Sequence, residues 1–172
     1  MKLITIFTPT FNRKEQLKVL YASLCNQTNK DFIWLIVDDG STDNTEELVS
    51  EWQKQNIIEI KYIKQKNGGK YKAVNTGVIE CTTELFGFVD SDDYVDTTMY
   101  EKMYNKAVEE KADYVECDFY WEYPDKLKKD VGIRYSNKKD MLVYARVVAW
   151  NKLIKREIIH NEFPKGLYYE DV

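Results

Sequence analysis

Residues 32–55, FIWLIVDDGSTDNTEELVSEWQKQ, contain a strand, a loop and a helix in succession. The opening apolar run is rich in β-branched and aromatic residues and ends in Asp38 and Asp39, the pattern of a buried strand. Asp43 and Glu46 then stand in capping-box spacing, with Leu48, Val49 and Trp52 behind them at helical intervals. The same alternation continues on both sides. LITIFTPTF (3–11) reads as a strand stopped by Pro9, and residues 13–27 repeat Leu17, Leu20, Tyr21 and Leu24 at helical spacing. IIEIKYIKQ (57–65) alternates like a strand, KYKAVNTGVIE (70–80) is a short helix, and ELFGFVD (84–90) is a further strand. An amphipathic helix follows over 97–112. Residues 113–123 then alternate with Val115, Cys117, Phe119, Trp121 and Tyr123 on one face. Strand–helix alternation from residue 3 to 123 predicts an α/β fold with a mostly parallel central sheet flanked by helices. Beyond residue 124 the pattern weakens, to one more strand over 147–154 and a helical turn over 155–161.

Composition sets limits on function. A chain of 172 residues, 44% hydrophobic and 31% charged, suits one globular domain over residues 1–172. A net charge of −4 offers no field for nucleic acid. Cys25, Cys81 and Cys117 are odd in number, match no zinc spacing and point to a reducing, cytoplasmic setting. The apolar run before Pro9 is too short for a secretory signal, and nothing approaches a membrane span; peripheral contact with the inner membrane face stays open. His160, the only histidine, reads as a surface residue.

The chemistry lies in the loops that follow the strands, which in such a sheet share the face where ligands bind. Four are loaded: TPTFNR (8–13), DDGSTDNT (38–45), NGGKYK (67–72) and DSDDY (90–94). Each alone can be read as a cap, a turn or a solvated surface loop. Asp90, Asp92, Asp93 and Asp96 nevertheless crowd together, and at ~5 Å each like-charge pair costs roughly 3 kcal/mol at an effective dielectric near 20. A divalent cation with a phosphate-bearing ligand offsets that repulsion, and carboxylate ligands favour magnesium or manganese over zinc. An EF-hand reading fails, because its sixth position is Val95 where a sharp turn needs glycine. No dinucleotide or P-loop glycine signature is present.

Taken in order, these motifs resemble the family-two glycosyltransferases, which have the GT-A fold. VDDGSTDNT is similar to the family's V-D-D-G-S-x-D, NGGKYKAVNTG to its N-x-G-x-x-x-A-x-N-x-G, and VDSDD to its D-x-D metal motif. The resemblance implies that Thr8, Pro9 and Asn12 line the base and ribose of a nucleotide, with Arg13 beside them. It implies that Asp39 hydrogen-bonds the base, commonly uracil, with Asp38 the structural member of that pair. It implies that Asp90 sits by the ribose or the metal, and that Asp92 binds Mn2+ or Mg2+ with Asp93 as a second candidate. Many members carry arginine where this chain has Val74; Gly69 with Lys70 or Lys72 would then hold the diphosphate. The ending YYED is similar to the family's E-D motif, which makes Asp171 the expected general base and Glu170 its understudy. Relatives continue past this point, so the domain is expected to be truncated after Val172, with residues 165–172 poorly ordered without ligand.

The implied activity is metal-dependent, inverting transfer of a sugar from a nucleotide-diphosphate donor, UDP-sugar favoured. The implied acceptor is a hydroxyl of a saccharide or lipid-linked saccharide, in surface polysaccharide or glycan synthesis. A nucleotidyltransferase acting on a sugar phosphate would carry a glycine-rich basic loop after the first strand, and TPTFNRKEQL lacks one. A receiver-like signalling domain would place its acidic pair after the first strand; here the pairs follow the second and fourth.

Overall fold

The structure is a computed structural model that describes residues 2–132, 137, 139–140 and 148–160. Along the chain come β1 (Ile4–Thr10), α1 (Lys14–Cys25), β2 (Phe32–Asp38), α2 (Thr45–Gln55), β3 (Glu59–Lys64), α3 (Lys70–Glu80), β4 (Leu85–Phe88) and α4 (Met99–Glu109). After these come β5 (Tyr114–Glu116), β6 (Phe119–Tyr123), β7 (Lys126–Asp130), β8 (Lys152–Lys155) and a 3-10 turn at Arg156–Ile158. Six strands form one sheet in the order β3-β2-β1-β4-β8-β5. β1 pairs in parallel with β2 and β4, and β2 with β3, while β8 runs antiparallel to both β4 and β5. β6 and β7 form a separate antiparallel ribbon.

The period-two pattern of the central strands distributes their side chains between two cores. Ile4 and Ile6 of β1 join Leu17, Leu20 and Leu24 of α1 and Val49 and Trp52 of α2 on one side of the sheet. There Tyr21 stacks on Trp52 with ring centroids 4.2 Å apart, and Trp52 stacks on Trp34 at 5.8 Å. Phe7 points to the other side, where Ala73 and Val74 of α3 cover it together with Phe86 and Phe88. A methyl group at Gly77 would overlap the Phe7 ring, which is fully buried and held between Phe86 and Phe88. Gly77→Ala is therefore expected to destabilise the fold. Its gain of about 1 kcal/mol in helix propensity is outweighed by an overpacking cost of roughly 1–3 kcal/mol. Chemical denaturation checks this, and a midpoint above wild type would contradict it.

Two local expectations resolve differently. The run 113–123 is not one strand: β5 joins the main sheet through β8, and β6 departs into the ribbon. The break falls at Cys117 and Asp118, where Cys117 donates its N–H to the carbonyl of Asn151 and Asp118 accepts from the N–H of Gly132. The capping box at α2 does not close either. Asn44 takes a left-handed conformation there without a side-chain cap, and Asp43 instead accepts the N–H of Lys14 at the start of α1, at 2.9 Å. Burial opposes the charge on Asp43, but hydrogen bonds from Thr45 and Lys14 outweigh it and hold its carboxyl below the usual range. Glu46 pairs with Lys64 at 2.9 Å rather than reaching back to the cap.

Candidate active site

β1 and β4 are adjacent but are followed by connections that leave in opposite directions along the sheet, so the gap beyond their carboxyl ends is a topological switch point. A cleft of about 400 Å3 opens there. Its walls come from all four loaded loops: Pro9, Thr10, Phe11 and Arg13; Asp39; Asn67, Gly69 and Lys70; Asp90, Ser91 and Asp92.

The acidic loop meets the cleft with its charges matched. Lys70, the first residue of α3, reaches Asp90 at 2.9 Å and lies 5.6 Å from the Phe88 ring centroid. Arg13 forms an ion pair with the half-exposed Asp92. The Arg13–Asp92 pair, about half-exposed on both sides, contributes about 0–1 kcal/mol, so Arg13 can be released to another partner at little cost; the Lys70–Asp90 pair is more enclosed on its Asp90 side. Asp93 is half-buried behind the cleft wall; burial first, and then Asp90 and Asp92, push its carboxyl up to about 6. Among the described residues no three His, Cys, Asp or Glu side chains converge as a preformed metal cluster. That arrangement still fits a hard divalent cation, which is commonly held by one or two carboxylates together with substrate phosphates and water.

Asp38 and Asp39 are both buried and both tied into the structure. Asp38 accepts from the N–H of Ser41 at 2.7 Å and from the Tyr62 hydroxyl, and this hydrogen bond adds to burial in raising the Tyr62 phenol well above its ordinary range. Asp39, 4% exposed, accepts from Gln65 at 2.6 Å, from the N–H of Gly69 at 2.7 Å and from that of Gly68 at 3.0 Å. It faces the cleft and also holds the turn that starts α3. The division into one structural and one ligand-facing aspartate thus gives way to a pair that both brace loops, so Asp39→Ala would also disturb that turn. Gly69 has φ +93, a left-handed backbone that favours glycine.

Other expected contacts lie elsewhere. Thr8 is fully buried, with its hydroxyl accepting from the Trp34 indole at 3.0 Å; Thr10 and Phe11 line the cleft instead. Pro9 and Arg13 of TPTFNR do line the cleft, while Thr8 sits deeper along β1, inside the core. Asn12 is exposed and braces the β2–α2 loop by accepting the N–H of Thr42 at 2.8 Å. Lys72 folds over Gly68 and donates to the carbonyl of Lys66 at 3.4 Å, away from the cleft lining. Asn67 and Ser91 line the cleft inside motifs already noted, and Gln65 braces Asp39 from just before one of them. Val74 packs in the second core and His160 is exposed. Glu170 and Asp171, with the rest of 165–172, lie outside the described residues.

The family model described as Glycosyl transferase family 2 matches residues 5–169. The chain belongs to this family. The uncharacterized glycosyltransferase EpsJ of Bacillus subtilis (strain 168) is 33% identical over 124 residues, covering 72% of this chain and 36% of EpsJ. The structure of S. aureus TarS 1–349 in complex with UDP matches with a TM-score of 0.76 at 22% identity, over 98% of this chain and 52% of that one. Mannosyltransferase PcManGT from Pyrobaculum calidifontis, in complex with GDP-Man and Mn2+, matches with a TM-score of 0.72 at 17% identity, over 98% of this chain and 49% of that one. The chain thus spans about a third of EpsJ and about half of each solved relative. As a family-two glycosyltransferase it carries the GT-A α/β architecture, with a mostly parallel sheet whose minority direction comes from β8. No helix among the described residues is long and apolar enough to cross a membrane.

Proposed function

We propose that the cleft binds a nucleoside-diphosphate sugar, UDP-sugar favoured, and that the protein transfers the sugar to a hydroxyl of a saccharide or lipid-linked saccharide during surface glycan synthesis. The observation that carries this reading is the pairing of two cleft carboxylates, Asp90 and Asp92, with two cleft cations, Lys70 and Arg13. Carboxylates suit a cation, cations suit a diphosphate, and both sets lie at the switch point where such sheets bind ligands. The UDP in TarS and the GDP-Man and Mn2+ in PcManGT support the same choice.

Pro9, Thr10 and Phe11 wall the nucleoside side of the cleft, and Asp39 meets the base. Asp92 and Asp90 hold Mn2+ or Mg2+, with Asp93 as an alternative ligand. When bound, the cation neutralises charge on the departing diphosphate. Arg13 and Lys70 exchange their aspartates for phosphate oxygens, beside the α3 N-terminus that begins after Gly69 and itself favours anions. Asp171 takes the proton from the acceptor hydroxyl as that oxygen attacks the anomeric carbon from the face opposite the leaving group, which inverts the configuration.

Isothermal titration of UDP with Mn2+ and again with excess chelator tests the binding step. UDP is expected to bind in the presence of Mn2+ and at least about tenfold more weakly once the metal is chelated. Equal affinity in the two conditions would remove the metal from the reading, and no binding in either would remove the nucleotide.

A further inference from the structure

Asp39 is a nearly buried anion with no ion-pair partner among the described residues, and N–H donors surround its carboxylate. Oδ1 accepts from Gln65 Nε2 at 2.6 Å, Oδ2 accepts from Gly69 N at 2.7 Å, and the Gly68 N–H is shared between them at 3.0 and 3.1 Å. The Gly68 and Gly69 donors are backbone groups, fixed by the turn itself. Gln65 is different, because a side-chain amide at the end of β3 can rotate and present either its oxygen or its nitrogen. The amide faces two neighbours, Asp39 on one side and Thr76 of α3 on the other. The Thr76 hydroxyl donates to Gln65 Oε1 at 2.7 Å, which turns the NH2 group toward Asp39. The reverse orientation would set the Gln65 oxygen against the carboxylate. The two loops are also in close contact: a methyl on Gly40 would meet the backbone N of Asn67 at 3.0 Å.

We propose that Thr76 and Gln65 are positioning residues for the nucleobase. Thr76 orients Gln65, and Gln65 holds Asp39 Oδ1 so that the carboxylate stays fixed at the cleft wall, where an N–H of the base meets it in place of the shared Gly68 contact. The proposal rests on the nucleotide-binding reading above. It separates two tasks of the β3–α3 segment: Lys70 and the start of α3 serve the diphosphate, while the Thr76–Gln65–Asp39 chain, braced by the glycine N–H groups, serves the base. A ligand without a base should therefore not sense the relay.

The test compares UDP with inorganic pyrophosphate, titrated calorimetrically at one Mg2+ concentration into wild type, Gln65→Met, Thr76→Val and Thr76→Ser. Loss of one oriented hydrogen bond is expected to weaken UDP by roughly five- to tenfold in Gln65→Met and Thr76→Val, with pyrophosphate held within about twofold. Thr76→Ser keeps the hydroxyl and is expected to behave as wild type. Gln65→Glu keeps the acceptor for Thr76 but faces Asp39 with a like charge, and should bind UDP at least as weakly as Gln65→Met. Thr76→Val is nearly isosteric, and melting curves taken alongside show that each variant is folded. Equal weakening of both ligands would reduce the pair to a scaffold for the turn and overturn the proposal. Unchanged UDP affinity in Gln65→Met would overturn the relay alone. A wild-type protein that binds pyrophosphate but not UDP would overturn the nucleotide reading and the relay with it.

Discussion

Turnover is expected to fall by roughly 10²–10⁴-fold when Asp171 is replaced by Asn, while UDP affinity stays at the wild-type value. The assignment rests on the resemblance of Glu170-Asp171 to the family's E-D motif, which lies just beyond the stretch 5–169 that the family model matches. A general base acts on the acceptor hydroxyl, so its loss slows the chemical step without loosening the donor. Asn keeps the size and polarity of the side chain and removes only its capacity to take a proton. Steady-state transfer assays paired with UDP titration separate the two effects. Glu170→Gln is the control: if it loses turnover and Asp171→Asn does not, the base is Glu170.

The parts of the fold visible in the sequence are those where one local signal decides one element. The apolar run Phe32–Val37 has no reading other than a buried strand, and residues 70–80 have the helical period of α3. The convergence of the four loops was also legible, because strand–helix alternation places every strand-to-helix loop at one edge of the sheet. What was hidden depends on partners distant in sequence. Alternation over 113–123 announces strand but not which strand it pairs with, and here Asn151 draws Cys117 into the main sheet while β7 takes Phe119–Tyr123. The antiparallel direction of β8 has no local signature at all, since Lys152–Lys155 would read the same either way.

The same reasoning explains the site. Motif spacing marks Asp39, Gly69, Lys70, Asp90 and Asp92, all of which reach the cleft. It does not separate Thr8 from Thr10, which share one face of β1; only their depth along the strand sets Thr8 against Trp34 in the core and Thr10 beside the cleft at the strand's end. Asp43 shows how a motif can serve a second element: besides accepting from Thr45 at the start of α2, its carboxylate takes the N–H of Lys14 at the start of α1, twenty-nine residues earlier in the chain. Gln65 has no motif of its own. Its role comes from lying between Asp39 and Thr76, a juxtaposition made where the chain leaves β3 and turns into α3, which packs on β1 and β2.

Asp92→Asn is expected to abolish the gain in UDP affinity that Mn2+ brings, with little change in melting temperature. Even residues that only support a metal ligand cost about 10–100-fold in metal affinity when removed, so a direct ligand should lose at least that much. The fold has little to lose, because Asp92 is half-exposed and its pair with Arg13 is worth about 0–1 kcal/mol. The variant should also show an inverted response under chelation. Without Asp92 the Arg13 guanidinium is released toward the cleft and one negative charge facing the diphosphate is gone. Metal-free UDP binding should then equal or exceed that of wild type, while binding with Mn2+ falls far below it. The two titrations, run on both proteins, yield four affinities and one sign to decide. A metal gain in Asp92→Asn as large as in wild type would place the cation on Asp90 and Asp93, and would leave Asp92 as no more than the counter-ion of Arg13.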